Sequence, residues 1–270
     1  MNTKRLEYIV IMILLLLNAF LLIVVLSDDA EERSARRETE ASLTALLASN
    51  GIEVGEDVDL IRDCPAQCTV VRDMAMERER MRGLLGAHQS EDLGGSIWFY
   101  SSERGQAMMR GTGEMDLLMT GETVARGDDP DRTAKRLFSR AGVELYALGT
   151  ETDDGSAELC GVWNGCPVFN ARLSFAFSGE RLYMVSGTML FNRETDRGDV
   201  GMDSVSVLVR FVDLAKSEGF ICSRIEALSP GYMLSVTMSG ESTLIPVWRI
   251  GTDTGDFIVN AVSGRTENLL

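Results

Sequence analysis

The eighteen residues from Ile9 to Leu26 carry no charged side chain, and no other stretch of the chain resembles them. As a helix rising about 1.5 Å per residue, such a run crosses the roughly 30 Å hydrocarbon core of a bilayer. Lys4 and Arg5 precede it; Asp28, Asp29, Glu31 and Glu32 follow it. The short basic tail favours the cytoplasm, which places the long remainder outside. Arg33, Arg36 and Arg37 lie just past the exit and dilute that charge signal. A cleaved secretory signal would show roughly 7 to 15 apolar residues and then a small-x-small site. Here the run is longer and ends Val25-Leu26-Ser27-Asp28-Asp29, so a retained anchor is expected. A pilin-like start is set aside because no Gly lies before Gly51, although Glu7 is present. The expected product is a single-pass protein of the cytoplasmic membrane, N-terminus inside, meeting lipid through this helix.

Residues 1–27 hold Lys4, Arg5 and Glu7, a net of +1 against −15 for the whole chain, which leaves −16 for residues 28–270. A domain this acidic is a poor binder of nucleic acid and is repelled by anionic headgroups. Frequent Gly and only five Pro suit hairpins joined by tight turns.

Five cysteines leave at least one thiol without an intrachain partner. Cys64 and Cys68 have the wrong spacing for a thioredoxin-type pair, and His88, the single histidine, is too remote to complete a zinc site. They read as a loop disulfide or as inert thiols. For Cys160 and Cys166 the turn decides. Asn164-Gly165 is the strongest two-residue hairpin signal in the chain. With that turn Trp163 faces Cys166 and Cys160 faces Phe169, so the sulfurs point to opposite faces and no disulfide forms. A five-residue loop from Gly161 to Gly165 would place them opposite each other instead. The tight turn with free thiols is preferred.

The pattern along the chain is helix followed by meander, three times over. A charged, then amphipathic, helix is expected over 30–49, with Leu43, Leu46 and Leu47 on its apolar face. Further helices are expected over 74–85, 130–141 (Asp129 as cap, Pro130 at its first turn) and 203–218, where Val205, Leu208, Val209 and Val212 make a buried stripe. Strands are expected over 96–101, 106–111, 114–120, 168–177, 181–190, 225–238, 243–250 and 256–261. This is an α+β pattern: a single N-terminal transmembrane helix, then an extracytoplasmic domain of antiparallel sheets each packed with a helix. The organisation reads as tail and anchor (1–27), juxtamembrane helical stalk (28–52), N-terminal α+β subdomain (53–127) and C-terminal α+β subdomain (128–270). The soft boundary lies in the turn-rich stretch from Arg126 to Pro130.

Motifs for catalysis are missing. There is no GxxxxGK loop and no GxSxG elbow, and a Ser-His-Asp triad would depend wholly on His88 in a polar loop. The carboxylates read as solvated, and Trp98, Trp163 and Trp248 as core or sheet-face residues. No enzyme activity, cofactor or metal is expected. Within the membrane run the polar Asn18, with Ala19 beside it, marks either a helix satisfied by its own carbonyls or a face that meets another membrane helix.

Several segments together resemble the YycH/YycI family of membrane-anchored regulators, the YycI branch more than the YycH branch. They are the Asn-containing, Leu-rich Ile13–Leu22; Leu84-Leu-Gly86 ahead of Trp98-Phe-Tyr100; and Gly165-Cys-Pro-Val-Phe-Asn170 leading to Phe175 and Phe177. The ending Leu244-Ile-Pro-Val-Trp-Arg-Ile250 with Asp256–Gly264 is the most specific element, and it is also similar to PepSY-type modules. The resemblance implies a non-enzymatic protein of Gram-positive bacteria. It would modulate the sensor histidine kinase of the cell-wall two-component system, in a hetero-oligomer with a sister membrane regulator, through transmembrane helix and extracytoplasmic contacts. Asn18 and Ala19 would then be contact residues. The alternative is a PepSY-type extracytoplasmic binding or inhibitor module acting on an envelope peptidase or hydrolase.

Overall fold

The computed structural model describes residues 34–120, 124–125, 129–148, 156–236 and 241–267. The span Ile9–Leu26, with Asn18 and Ala19, lies outside the described residues, as do residues 126–128 of the turn-rich stretch. Among the described residues no helix is long and apolar enough to cross a membrane. The chain divides into two compact units, Met1–Val54 and Gly55–Leu270.

In the first unit, helix α1 covers 34–49 and strand β1 Glu53–Val54. Gly51 takes φ 77°, the left-handed conformation in which a Cβ is costly, and the Ile52 N–H returns to the Leu47 carbonyl at 3.0 Å. Leu43 and Leu47 are buried, but Leu46 is 38% exposed, so the expected three-leucine face narrows to two.

The second unit begins β2 (Ala66–Arg72), α2 (Met74–Leu85), β3 (Gln89–Gly94), β4 (Ile97–Ser102), β5 (Gly105–Met109) and β6 (Glu114–Met119). It continues α3 (Pro130–Arg140), β7 (Leu145–Ala147), β8 (Ala157–Trp163), β9 (Cys166–Ser178), β10 (Arg181–Thr188) and β11 (Asn192–Val200). It closes with α4 (Ser204–Glu218), β12 (Arg224–Val236), β13 (Ser242–Thr252), β14 (Gly255–Asn260) and β15 (Thr266–Glu267). Each of α2, α3 and α4 starts on an aspartate whose carboxylate accepts backbone N–H groups. Asp73 takes those of Ala75 and Met76, Asp129 that of Arg132 and Asp203 that of Ser206.

The class is α+β, but the strands β2 to β15 belong to one sheet rather than to several. Its main path is β11-β2-β13-β12-β9-β10-β6-β5-β4-β3. The cause is the length of β9, thirteen residues. One edge carries β8; the other meets β12 at Val168 and β10 from Leu173 onward. The β12 contact, Tyr232 with Val168, is parallel, whereas the pairing of β6 with β10 is antiparallel and carries the sheet across residue 127. Helices α2 and α3 share one apolar core with β4–β6, β8, β9 and β10, in which Phe138 meets Phe175 edge-on at 5.4 Å. Helix α4 reaches β14 through Phe211, whose ring lies 5.4 Å from Phe257.

Candidate functional site

Two features meet where β10 passes into β11. The first is a buried polar cluster. Arg72 ends β2, Asp73 caps α2, and Glu77 sits in that helix's first turn, so the chain itself brings cation and carboxylate together. Arg72 donates through Nε to Glu77 Oε2 at 2.7 Å and through Nη2 to Oε1 at 2.8 Å. Tyr100 on β4 donates its hydroxyl to the same Oε1 at 2.7 Å. The third arm of Arg72, Nη1, reaches the Ser96 carbonyl at 2.6 Å. The Glu77 side chain is 1% exposed, so the fork-to-fork geometry is its compensation for leaving water. Burial, and then the adjoining Glu77 carboxylate, push the Tyr100 phenol above its ordinary range and keep it a donor. From sequence the carboxylates read as solvated; Glu77 is buried instead, and the signal for it is the i,i+5 spacing from Arg72 across a cap.

The second feature is a cleft of about 350 Å³ beside that cluster. Met76 and Arg80 come from α2, Val143 from the segment after α3, Val162 to Asn164 from the end of β8, Met189 and Leu190 from the β10–β11 connection, and Asn192 to Glu194 from β11. Asn164 (φ 48°) and Gly165 (φ 79°) form the two-residue turn that presents Trp163 to it. Arg80 Nη1 donates to the Ala141 carbonyl at 2.9 Å, and a Cβ on Gly142 would strike that guanidinium. Glu194 is taken up by Arg197 through two bonds of 2.8 and 3.1 Å, which with the Asn164 side chain lower its pKa. Among the buried side-chain nitrogens and oxygens of the described residues, the Trp163 indole N–H has no hydrogen-bond partner. Asn192 (7% exposed) and the exposed Arg193 also line the cleft.

All five cysteines are free thiols. The tight turn is the one adopted, with Trp163 opposite Cys166, but a bulge after Cys160 pairs that residue with Arg172 rather than Phe169. Cys160 packs in a cluster with Phe169 and Val247, whereas Cys166 packs with Cys68 and Tyr232. Cys68 Sγ lies 3.9 Å from the Tyr232 hydroxyl, which donates to the Ala66 carbonyl at 3.1 Å. Burial pushes Cys64 up to about 12 and Cys160 to about 11, and it raises Cys68, Cys166 and Cys222 as well. Such thiols stay protonated and are weak nucleophiles at neutral pH. His88 is held with Nδ1 3.0 Å from the Gly86 carbonyl and its ring edge-on to Tyr100. Among the described residues no group of three potential ligands forms a metal site. Of the tryptophans, Trp248 is fully buried and donates to the Met202 carbonyl at 2.8 Å, and Arg78 lies 4.8 Å above the Trp98 ring.

No family model matches the chain, and no curated protein matches it. Among solved structures, the chain is similar to an uncharacterized protein from Eubacterium rectale ATCC 33656. The identity is 11% over 81% of this chain and 90% of that one, with a TM-score of 0.46. It is also similar to the Bacillus megaterium YpeB C-terminal domain, with 10% identity over 73% and 96% and a TM-score of 0.40. Likenesses this slight establish neither a common family nor a common role.

Proposed function

We propose that the chain is a membrane-tethered, non-enzymatic binding module whose folded part lies outside the cytoplasmic membrane, and that it modulates a sensor histidine kinase together with a sister regulator. The observation that carries the binding half is the cleft. It combines apolar side chains with Arg80, Asn192 and Arg193, while the neighbouring acid, Glu77, is fully engaged by Arg72 and Tyr100. Concave sites lined by apolar side chains with a few convergent polar groups are where ligands bind. The kinase half rests on the resemblance to YycH/YycI regulators and on the run Ile9–Leu26. A single helix shifts a kinase by binding its two signalling states unequally, which needs no catalytic group.

The test is site-specific photo-crosslinking from position 18 in native membranes, followed by identification of the captured proteins. A sensor kinase or sister regulator in the captured set supports the reading; a set with neither overturns it. Asn18→Leu is expected to change kinase output while leaving the folded part intact by circular dichroism, because an interhelical amide bond contributes about 0.6 to 2 kcal/mol. Full activity of residues 30–270 without the anchor would favour the inhibitor module instead.

A further inference from the structure

One face of β4, β5, β6, β10 and β9 closes on α2 and α3. Tyr100, Ala107, Leu117, Val185 and Phe175, in register across the five strands, are all buried there. Successive residues alternate faces, so the neighbours of these five make the opposite side of the sheet. One row of that side is Ser101, Gln106, Leu118, Met184 and Ala176; the next is Phe99, Met108, Asp116, Ser186 and Ser174. All ten keep some exposure, and Leu118, near the middle, is 47% exposed. The bulge between Leu182 and Met184 adds Tyr183, 45% exposed, while Ile97 on β4 and Leu93 on β3, 51% exposed, begin a third row.

A sheet face left to water is normally polar, in alternation with the core side. Here five of the ten positions are apolar and one, Asp116, is charged, although 25% of the chain is charged. Even that carboxylate is held by Arg110 Nη1 at 2.8 Å. Contiguous exposed apolar surface of this kind marks an interaction site. We infer that two copies of the chain meet here, sheet on sheet across a two-fold axis; the pairing goes beyond the kinase reading and does not depend on it.

Charge, size and the sheet edge select a second copy as the occupant. The chain is strongly acidic, so two copies repel except where the surfaces that meet are neutral, as these are. Five strands at about 4.8 Å each and three rows of side chains give a plane of about 24 by 20 Å. Side-chain relief enlarges it toward the roughly 800 Å² that one partner contributes to a standard interface. Pairing edge to edge is opposed. Strand β3 ends the main path of the sheet and carries Glu91 and Asp92, which antiparallel pairing would set against the same acids of the other copy. Two such faces pack about 10 Å apart with their strands roughly 30° off alignment, and the two-fold closes the assembly at a dimer.

The test is sedimentation equilibrium of the full chain in density-matched detergent micelles, where a reversible dimer is expected. Leu118→Glu places an unpaired charge in the middle of the face in both copies, and the dissociation constant is expected to rise about a hundredfold or more. Far-ultraviolet circular dichroism should not change, because the side chain is exposed. A dimer that survives Leu118→Glu undiminished is held elsewhere, and it overturns the inference, as does a chain that is monomeric throughout. A second measurement leaves Leu118 intact: a photo-crosslinking amino acid replaces the exposed Gln106 in native membranes. The expected product is a covalent pair of copies of this chain, absent when the same amino acid stands at Asp196 on β11. Adducts made only with other proteins, or none, overturn the inference. Position 106 reports the pairing and position 18 the kinase contact, so either reading can fail while the other stands.

Discussion

Replacing Glu77 by Gln would leave the Arg72 guanidinium, whose side chain is only 18% exposed, facing a neutral amide. Breaking a buried pair on one side costs about 3 to 5 kcal/mol, because the remaining charge stays desolvated. Glu77→Gln is therefore expected to lower the urea midpoint with an unchanged slope, and by more than Tyr100→Phe, which removes one hydrogen bond at about 1 to 2 kcal/mol. The thiols carry a pH signature. Cys64 shifts from an ordinary 9.0 to about 12, so between those values the folded chain holds a proton that the unfolded chain has released. Stability is then full below about pH 9 and falls as the pH rises through that window. Denaturation midpoints at pH 8 and pH 10 should differ, and the difference should shrink in Cys64→Ala. An equal drop in both would show that Cys64 contributes nothing to it.

Among the elements, β10 depends on Gly187, whose φ is 138° and whose Cβ would strike the Arg172 carbonyl on β9. Gly187→Ala is expected to part β9 from β10, seen as faster amide exchange in both strands and a loss of at least 1 kcal/mol in denaturation. The parts of the fold legible from sequence are those with a clear local cause. Asp129, Pro130, Asp203 and Gly219 bound their helices within a residue, and the apolar alternation of β9, β10, β12 and β13 gives those strands. Strands β2, β7 and β15 have no counterpart among those expected from sequence, nor do β3, with all six residues exposed, and β11, polar along most of its length. β3 and β11 are sheet edges, where solvent replaces one neighbour and no alternation is demanded, whereas β2 lies inside the sheet between β11 and β13. The site was legible only in part for the same reason. The Asn164-Gly165 turn announces itself, but Arg193 and Asn192 lie on the unforeseen β11, and Glu77 looks like any helix carboxylate until the fold buries it.

For the whole molecule, the consequential fact is that the sheet does not stop near residue 127. Met115 and Leu117 of β6 are buried with Leu173, Phe175 and Val185 of β9 and β10, and Met81, Leu84 and Leu85 of α2 share that core with Leu137 and Phe138 of α3. Cutting there exposes a long strand edge and half of a hydrophobic core on each side, at roughly 25 cal/mol for each Å² of apolar surface returned to water. A fragment of residues 53–127, expressed alone, is therefore expected to lack fixed tertiary structure: no near-ultraviolet circular dichroism and no protected amides in β5 or β6. Residues 55–270 together should unfold in one transition, coincident by tryptophan fluorescence and far-ultraviolet circular dichroism. Two separated transitions, or a well-folded 53–127 fragment, would support an independent N-terminal subdomain. The cleft draws its lining from α2 and from β8 and β11, on both sides of residue 127, so its shape too depends on the unit folding as a whole.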